Sequence, residues 1–93
     1  MMLTLETTAQ FRRDYKRVKK RGYDLALLEN VIDALLNGEK LAERHRDHPF
    51  TGPWEAYREC HILPDWLLIY RVDGARLILV AARTGTHVDL FDE

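Results

Sequence analysis

Apolar and polar positions divide the chain into a helical half and a strand half. "LTLE" (residues 3–6) alternates apolar and polar, as a short strand with one buried face does. Thr7 or Thr8 then offers a hydroxyl to cap a helix, because it satisfies an amide that the first turn leaves free. Phe11, Tyr15 and Val18 follow at i, i+4 and i+7, one stripe of a helix facing a core. Gly22 permits the left-handed residue that ends this helix, and Asp24 is placed to cap the next. Leu27, Leu28, Val31, Ile32, Leu35 and Leu36 form the second stripe, which Asn37-Gly38 stops. So short a link predicts an antiparallel helical hairpin.

Residues 39–53, "EKLAERHRDHPFTGP", have no sustained period. Loops of roughly 12–15 residues without structure of their own are usually functional or disordered, and His45, Asp47 and His48 favour function. The period then falls to two. Trp54 to Ile62 reads as a strand, Leu63-Pro64-Asp65 as a tight connection and Trp66 to Val72 as a second strand. Asp73-Gly74 is a strong signal for a type I′ hairpin turn, and Ala75 to Ala82 reads as a third strand. Arg83-Thr84-Gly85-Thr86 and a short segment ending at Leu90-Phe91 complete the chain. The predicted class is α+β: one domain, residues 1–93, with a small antiparallel sheet and the helical hairpin packed on one of its faces.

Strand alternation puts Tyr57, Glu59 and His61 on one face and Ala56, Arg58, Cys60 and Ile62 on the other. Leu79 and Ala81 are expected to share a face with Arg83, opposite Ile78, Val80 and Ala82. A sheet covered on one side leaves its other face for a ligand.

Composition narrows the class further. The 93 residues are 46% apolar and 31% charged, as in a soluble globular chain. No apolar run approaches the roughly 20 residues that span a bilayer. The N-terminus lacks the basic-then-apolar order of a signal peptide. The single Cys60 forms no internal disulfide, so a cytoplasmic, reducing location is expected. The net charge of −1 is unevenly spread: "RRDYKRVKKR" (residues 12–21) holds seven of the fourteen Lys and Arg residues and one acid, Asp14. Such a block is either a solvated helix face or a polyanion-binding face.

Candidate chemistry gathers at one end of the predicted sheet. His48 comes from the loop, His61 and Asp65 flank the tight turn, and His87 follows the last strand. Imidazole, with an unperturbed pKa of about 6.5, gives and takes protons near neutrality. Two histidines and a carboxylate suffice for paired acid and base catalysis without a metal or other cofactor. On RNA, one group takes the ribose 2′-hydroxyl proton and another protonates the departing 5′-oxygen. Arg83 can offset charge on the phosphorane-like transition state, and Trp66 and Phe91 can stack on splayed bases. Plainer roles exist for each: a satisfied turn histidine, Asp65 as an ordinary turn residue, Trp66 as core, Arg83 paired with an acid such as Asp89. A zinc site from His45, Asp47, His48, Cys60 and His61 lacks the regular ligand spacing of structural sites.

The strings "YRECHILPDWLLIYRVD" and "RTGTHVDLF", with "RDHP" and "GPW" before them, resemble the YafQ family of bacterial type II toxins, a branch of the RelE/ParE superfamily. The resemblance covers nearly the whole chain. It implies a ribosome-dependent endoribonuclease that cuts mRNA in the ribosomal A site. It also implies a cognate DinJ/RelB-like antitoxin, and contact with operator DNA only through the toxin–antitoxin complex. Residue by residue, His48 in "RDHP", His61 in "ECHI", Asp65 and Trp66 in "PDW", and His87 and Phe91 in "TGTHVDLF" match the family's catalytic and aromatic positions. Arg83 in "RTGT" sits where related toxins place a phosphate-contacting arginine. Superfamily toxins are usually basic, whereas this chain has a pI near 6.4. Counterion release makes phosphate contacts a large share of RNA affinity, so Arg12, Arg13, Lys16, Lys19 and Lys20 are expected to supply much of the ribosome contact. The alternative within the superfamily is a ParE-like toxin that binds and inhibits a DNA topoisomerase, an activity that needs no proton-transfer groups.

Overall fold

The computed structural model describes residues 2–50 and 56–91. Strand β1 (Thr4–Thr7) leads into helix α1 (Ala9–Lys20) and, after a four-residue link, helix α2 (Leu25–Leu36). Both helix starts obey the sequence. Thr8 Oγ1 accepts from the Phe11 amide, and the Asp24 carboxylate accepts from the Ala26 amide. Gly22 is left-handed at φ 81°, as the end of α1 requires.

The loop that follows is better ordered than its lack of period implies. It holds a single 3-10 turn (Glu43–His45) and a two-residue edge strand, β2 (His48–Pro49). Arg46, left-handed at φ 46°, redirects the chain between them. Strands β3 (Arg58–Leu63), β4 (Trp66–Asp73) and β5 (Ile78–Gly85) form the meander, and helix α3 (His87–Phe91) ends it. The sheet order is β1-β5-β4-β3-β2. Pairing is antiparallel from β2 to β5, but β1 runs parallel to β5, so the sheet is mixed. A parallel pair needs a long crossover, and the whole helical hairpin and meander supply one.

Three sequence expectations shift. The strand expected from Trp54 begins at Arg58; residues 51–55, including Gly52, Pro53 and Trp54, lie outside the described residues. The Asp73-Gly74 turn is not type I′, since Gly74 has no positive φ. Instead, residues 74–77 form a four-residue turn. Asp73 Oδ1 accepts from the Arg76 amide and Leu77 takes the left-handed position at φ 56°. The third strand therefore starts three residues late and runs on through Arg83 to Gly85.

A bulge changes the faces of β5. Ile69 pairs with Arg83, but Tyr70 pairs with Ala81, which leaves Ala82 as the extra residue. A one-residue shift moves every later side chain to the opposite face. Arg83 thus lies across from Leu79 and Ala81 rather than beside them, and Thr84 turns towards the helices. Thr8 fixes the bulge by donating its hydroxyl to the Ala82 carbonyl.

The core lies between the hairpin and the sheet. Phe11, Val18, Leu28, Val31, Ile32 and Leu35 meet Cys60, Ile62, Trp66, Leu68, Tyr70, Leu79 and Ala81. Burial pushes the Cys60 thiol up to about 12, so it stays protonated and a poor nucleophile. Alkylation followed by mass spectrometry is expected to label Cys60 only once the chain is unfolded. Labelling at native-state rates comparable to a free thiol would contradict this packing.

Candidate active site

The sheet face away from the hairpin collects the titratable groups. Strand pairing aligns His48, Glu59, Ile69 and Arg83 in one row across β2, β3, β4 and β5. His61, Leu67 and Gly85 form the next row. Just past Gly85 the chain turns into α3, whose first residue is His87. His48, His61, Asp65 and His87 therefore reach one end of one face: alternation and the tight turn at Pro64-Asp65 predict this for His61 and Asp65, and edge pairing brings His48.

Each imidazole is anchored through Nδ1 to an oxygen that can only accept. His48 Nδ1 lies 2.6 Å from the Arg46 carbonyl, His61 Nδ1 3.1 Å from the Pro64 carbonyl, and His87 Nδ1 2.6 Å from Asp65 Oδ1. A carbonyl or carboxylate oxygen requires the proton on Nδ1, so Nε2 is the atom left for chemistry on all three rings. His45 serves as a brace: its Nδ1 donates to the His61 carbonyl at 2.6 Å. The His61 and His87 rings stand 6.0 Å apart, centre to centre.

Asp65 holds His87 twice, since Oδ1 also accepts from the His87 amide at 3.1 Å. These two bonds, the side-chain one first, pull the Asp65 carboxyl below its ordinary value. It is a fixed anion at neutral pH, the form that orients an imidazole.

Glu59 is the acidic residue that the sequence reading left out of the site. It is 8% exposed and lies between two rings, with Oε1 3.6 Å from His61 Nε2 and 3.8 Å from His48 Nε2. Its place on the His61 face was visible in the strand alternation. What strand alternation cannot show is the short edge strand that brings His48 to its other side.

Trp66 requires a correction. The indole is 2% exposed, packs edge-on against Tyr23 at 4.9 Å and donates to Thr84 Oγ1 at 2.9 Å. It lies on the hairpin side of the sheet, beyond reach of a base, because β4 alternation puts Trp66 with Leu68 and Tyr70 and not with Leu67. Phe91 keeps its expected exposure at 39% and meets Phe50 edge-on at 6.2 Å. With Tyr57, Ile69, Arg83 and Leu90, these two rings line a cavity of about 290 Å³ beside His87.

Arg83 pairs with Asp14, not Asp89. Its Nε donates to Asp14 Oδ2 at 2.8 Å and a terminal nitrogen to Oδ1 at 3.3 Å. Asp14, the lone acid of the basic block, is fully buried and also accepts from the Thr84 amide and Gln10. The block itself divides. Lys16, Lys19 and Lys20 are exposed, and so are Arg12, bonded to Thr7, and Arg13, bonded to Gln10. Arg17 and Arg21 instead reach Asp89 of α3.

The zinc set does not assemble. Cys60 faces the core, and Asp47 is taken by the Tyr70 hydroxyl and Arg58. Among the described residues no three His, Cys, Asp or Glu side chains are disposed to hold a metal ion. Nor is any helix among them long and apolar enough to cross a membrane.

Known proteins have a similar sequence and a closely matching fold. A family model described as "Bacterial toxin of type II toxin-antitoxin system, YafQ" matches residues 3–92. The mRNA interferase toxin YafQ of Escherichia coli K12 is 38% identical over 88 residues, which is 94% of each chain. YafQ in the E. coli DinJ–YafQ toxin–antitoxin complex superposes with a TM-score of 0.89 at 36% identity, covering 98% of this chain and 99% of that one. A metal-bound toxin from Helicobacter pylori superposes with a TM-score of 0.92 at 41% identity, covering 97% and 100%. A match along nearly the whole length, in sequence and in fold, assigns this chain to the YafQ family of bacterial type II toxins.

Proposed function

We propose that the protein is an mRNA interferase, the toxin half of a toxin–antitoxin pair, cutting ribosome-bound mRNA in the A site. The observation that carries this reading is the set of three imidazoles around one sheet face, each held by Nδ1 with Nε2 left for proton transfer, those of His48 and His61 lying 3.8 and 3.6 Å from Glu59 Oε1. A fixed tautomer with one ring nitrogen available is what general acid–base catalysis needs.

In this reaction one imidazole Nε2 removes the 2′-hydroxyl proton. The 2′-oxygen then forms a bond to phosphorus as the P–O5′ bond breaks, and a second imidazole, already protonated, gives its proton to O5′. The products are a 2′,3′-cyclic phosphate and a 5′-hydroxyl end. His87, oriented by the Asp65 anion, is one of the two groups. His61, its ring 6.0 Å away, is the candidate for the other, with His48 and Glu59 beside it. Arg83 lines the same face, and its guanidinium offsets charge on the phosphate while Asp14 keeps it in place. Phe91 and Phe50 supply the aromatic wall on which a base stacks. Each proposed step is assigned to a side chain of this chain.

Exposed Arg12, Arg13, Lys16, Lys19 and Lys20 provide the phosphate contacts to ribosomal RNA. The DinJ partner of the E. coli relative points to an antitoxin of the same kind, through which operator DNA is reached.

Mapping mRNA 5′ ends after brief induction tests the reading. New 5′-hydroxyl ends are expected at in-frame positions of translated messages and not in an untranslated copy of the same RNA. Equal cutting of both RNAs would remove the ribosome from the mechanism. Intact mRNA with DNA supercoiling blocked would instead favour topoisomerase inhibition.

A further inference from the structure

Helix α3 carries His87, yet apart from half-buried Leu90 and the edge-on contact of Phe91 with Phe50 little apolar packing holds it down. None of its five residues is buried, and Val88 is 59% exposed. A helix this short has no stability of its own in water. Its position comes from polar contacts centred on Asp89. Thr86 and Asp89 form a reciprocal capping pair: Thr86 Oγ1 accepts from the Asp89 amide at 3.1 Å, and Asp89 Oδ2 accepts from the Thr86 amide at 2.9 Å. The same carboxylate receives both terminal nitrogens of Arg21, at 2.6 and 2.9 Å, with Arg17 at 3.4 Å. Gly85 lets α3 come this close, because a Cβ there would lie 2.9 Å from Asp89 Cβ and Oδ2.

We propose that Arg21 and Arg17 are positioning residues for RNA cleavage: from α1 they clamp Asp89, and through it fix α3 so that His87 stays on Asp65 and opposite His61. The inference rests on the reading of His87 as a proton-transfer group. It removes two cations from the RNA-binding block and gives them work inside the protein. A bidentate arginine–carboxylate pair sets orientation as well as distance, so neither a lysine nor a neutral residue at 21 reproduces it. Arg21 and the Thr86 cap hold Asp89 far below the usual carboxylate range. The charge pair therefore persists well below pH 4, and its contribution to stability, full above the unfolded-state value of about 4, is lost as the pH falls from there towards the depressed folded-state value.

The competing role for Arg17 and Arg21, phosphate contact, predicts the opposite sign at Asp89. Asp89→Asn keeps an oxygen for the Thr86 amide but removes the charge that engages the arginines. Under the clamp, Asp89→Asn and the Arg17→Gln/Arg21→Gln pair each lower kcat on ribosome-bound mRNA, by roughly 10- to 100-fold for a displacement of about 1 Å. KM stays within about twofold, the triple variant is no worse than either, and Arg21→Lys recovers only part of the loss. Amide exchange of α3 in the whole protein should speed up in both variants. If the arginines serve RNA instead, Asp89→Asn frees them and lowers KM with kcat unchanged, and the arginine variants raise KM. That result, or unchanged α3 exchange, overturns the clamp. His87→Ala run in parallel separates the two ideas: retained cleavage there rejects the His87 role, and the exchange data then decide the clamp by themselves.

Discussion

Replacing His87 by alanine is expected to reduce cleavage of ribosome-bound mRNA by about 10²–10⁴-fold, the usual contribution of a positioned acid or base. The fold should survive, because His87 contributes nothing to the core and its ring is partly exposed. Thermal unfolding within a few degrees of the parent would confirm that chemistry, not folding, was lost. Asp65→Asn should cost less, about tenfold to a hundredfold. The carboxylate is 67% exposed, so its field is partly screened, but its loss frees the ring to adopt the wrong tautomer. A His87→Ala variant that cuts at the parent rate would remove His87 from the mechanism.

The second large effect concerns stability. Trp66→Ala is expected to destabilise the fold by about 3–5 kcal/mol, the cost of deleting a large buried ring. For a domain of this size that is a fall in Tm of roughly 12 °C or more. Trp66→Phe should cost only about 1–2 kcal/mol, mainly for the lost bond to Thr84, whose hydroxyl still donates to the Leu67 carbonyl at 2.8 Å. The folded Trp66→Phe protein is expected to cleave normally, because the indole is buried in the core on the hairpin side of the sheet. If Trp66→Phe keeps its Tm and loses activity, Trp66 stacks on RNA after all and its burial between sheet and hairpin is wrong.

Local rules carried much of the fold. Thr8 and Asp24 cap as their chemistry demands, and the apolar stripe of α2, apart from exposed Leu27, packs into the core. The alternation of Tyr57, Glu59 and His61 correctly marks the face where the histidines meet. What escaped were features set by tertiary contacts. The bulge at Ala82 has no signature in the sequence, yet it alone decides that Arg83 faces the site and Thr84 the core. The edge strand at His48-Pro49 is too short for a period to register, and it exists because β3 offers an unpaired edge. Leu77 takes a left-handed turn position that composition assigns to Gly74.

At the site, the histidines and Asp65 were legible because residue type and turn chemistry agree at those positions. Glu59 was legible as to face but not as to partners. Asp14 was read as the odd acid of a basic helix, whereas its burial beneath Arg83 depends on a strand 69 residues away. Trp66 shows the limit of pattern matching: adjacency to Asp65 placed it near the chemistry, and strand alternation sent its side chain through to the other face.

The proposed chemistry on this face is RNA cleavage by 2′-hydroxyl attack with histidine proton transfer. The most direct measurement is cleavage of ribosome-bound mRNA carrying a single 2′-O-methyl group on the nucleotide 5′ to the scissile phosphate. The proposed chemistry predicts no cut at that position and normal 5′-hydroxyl ends on the unmodified message. Cutting of the methylated site at the parent rate would contradict it.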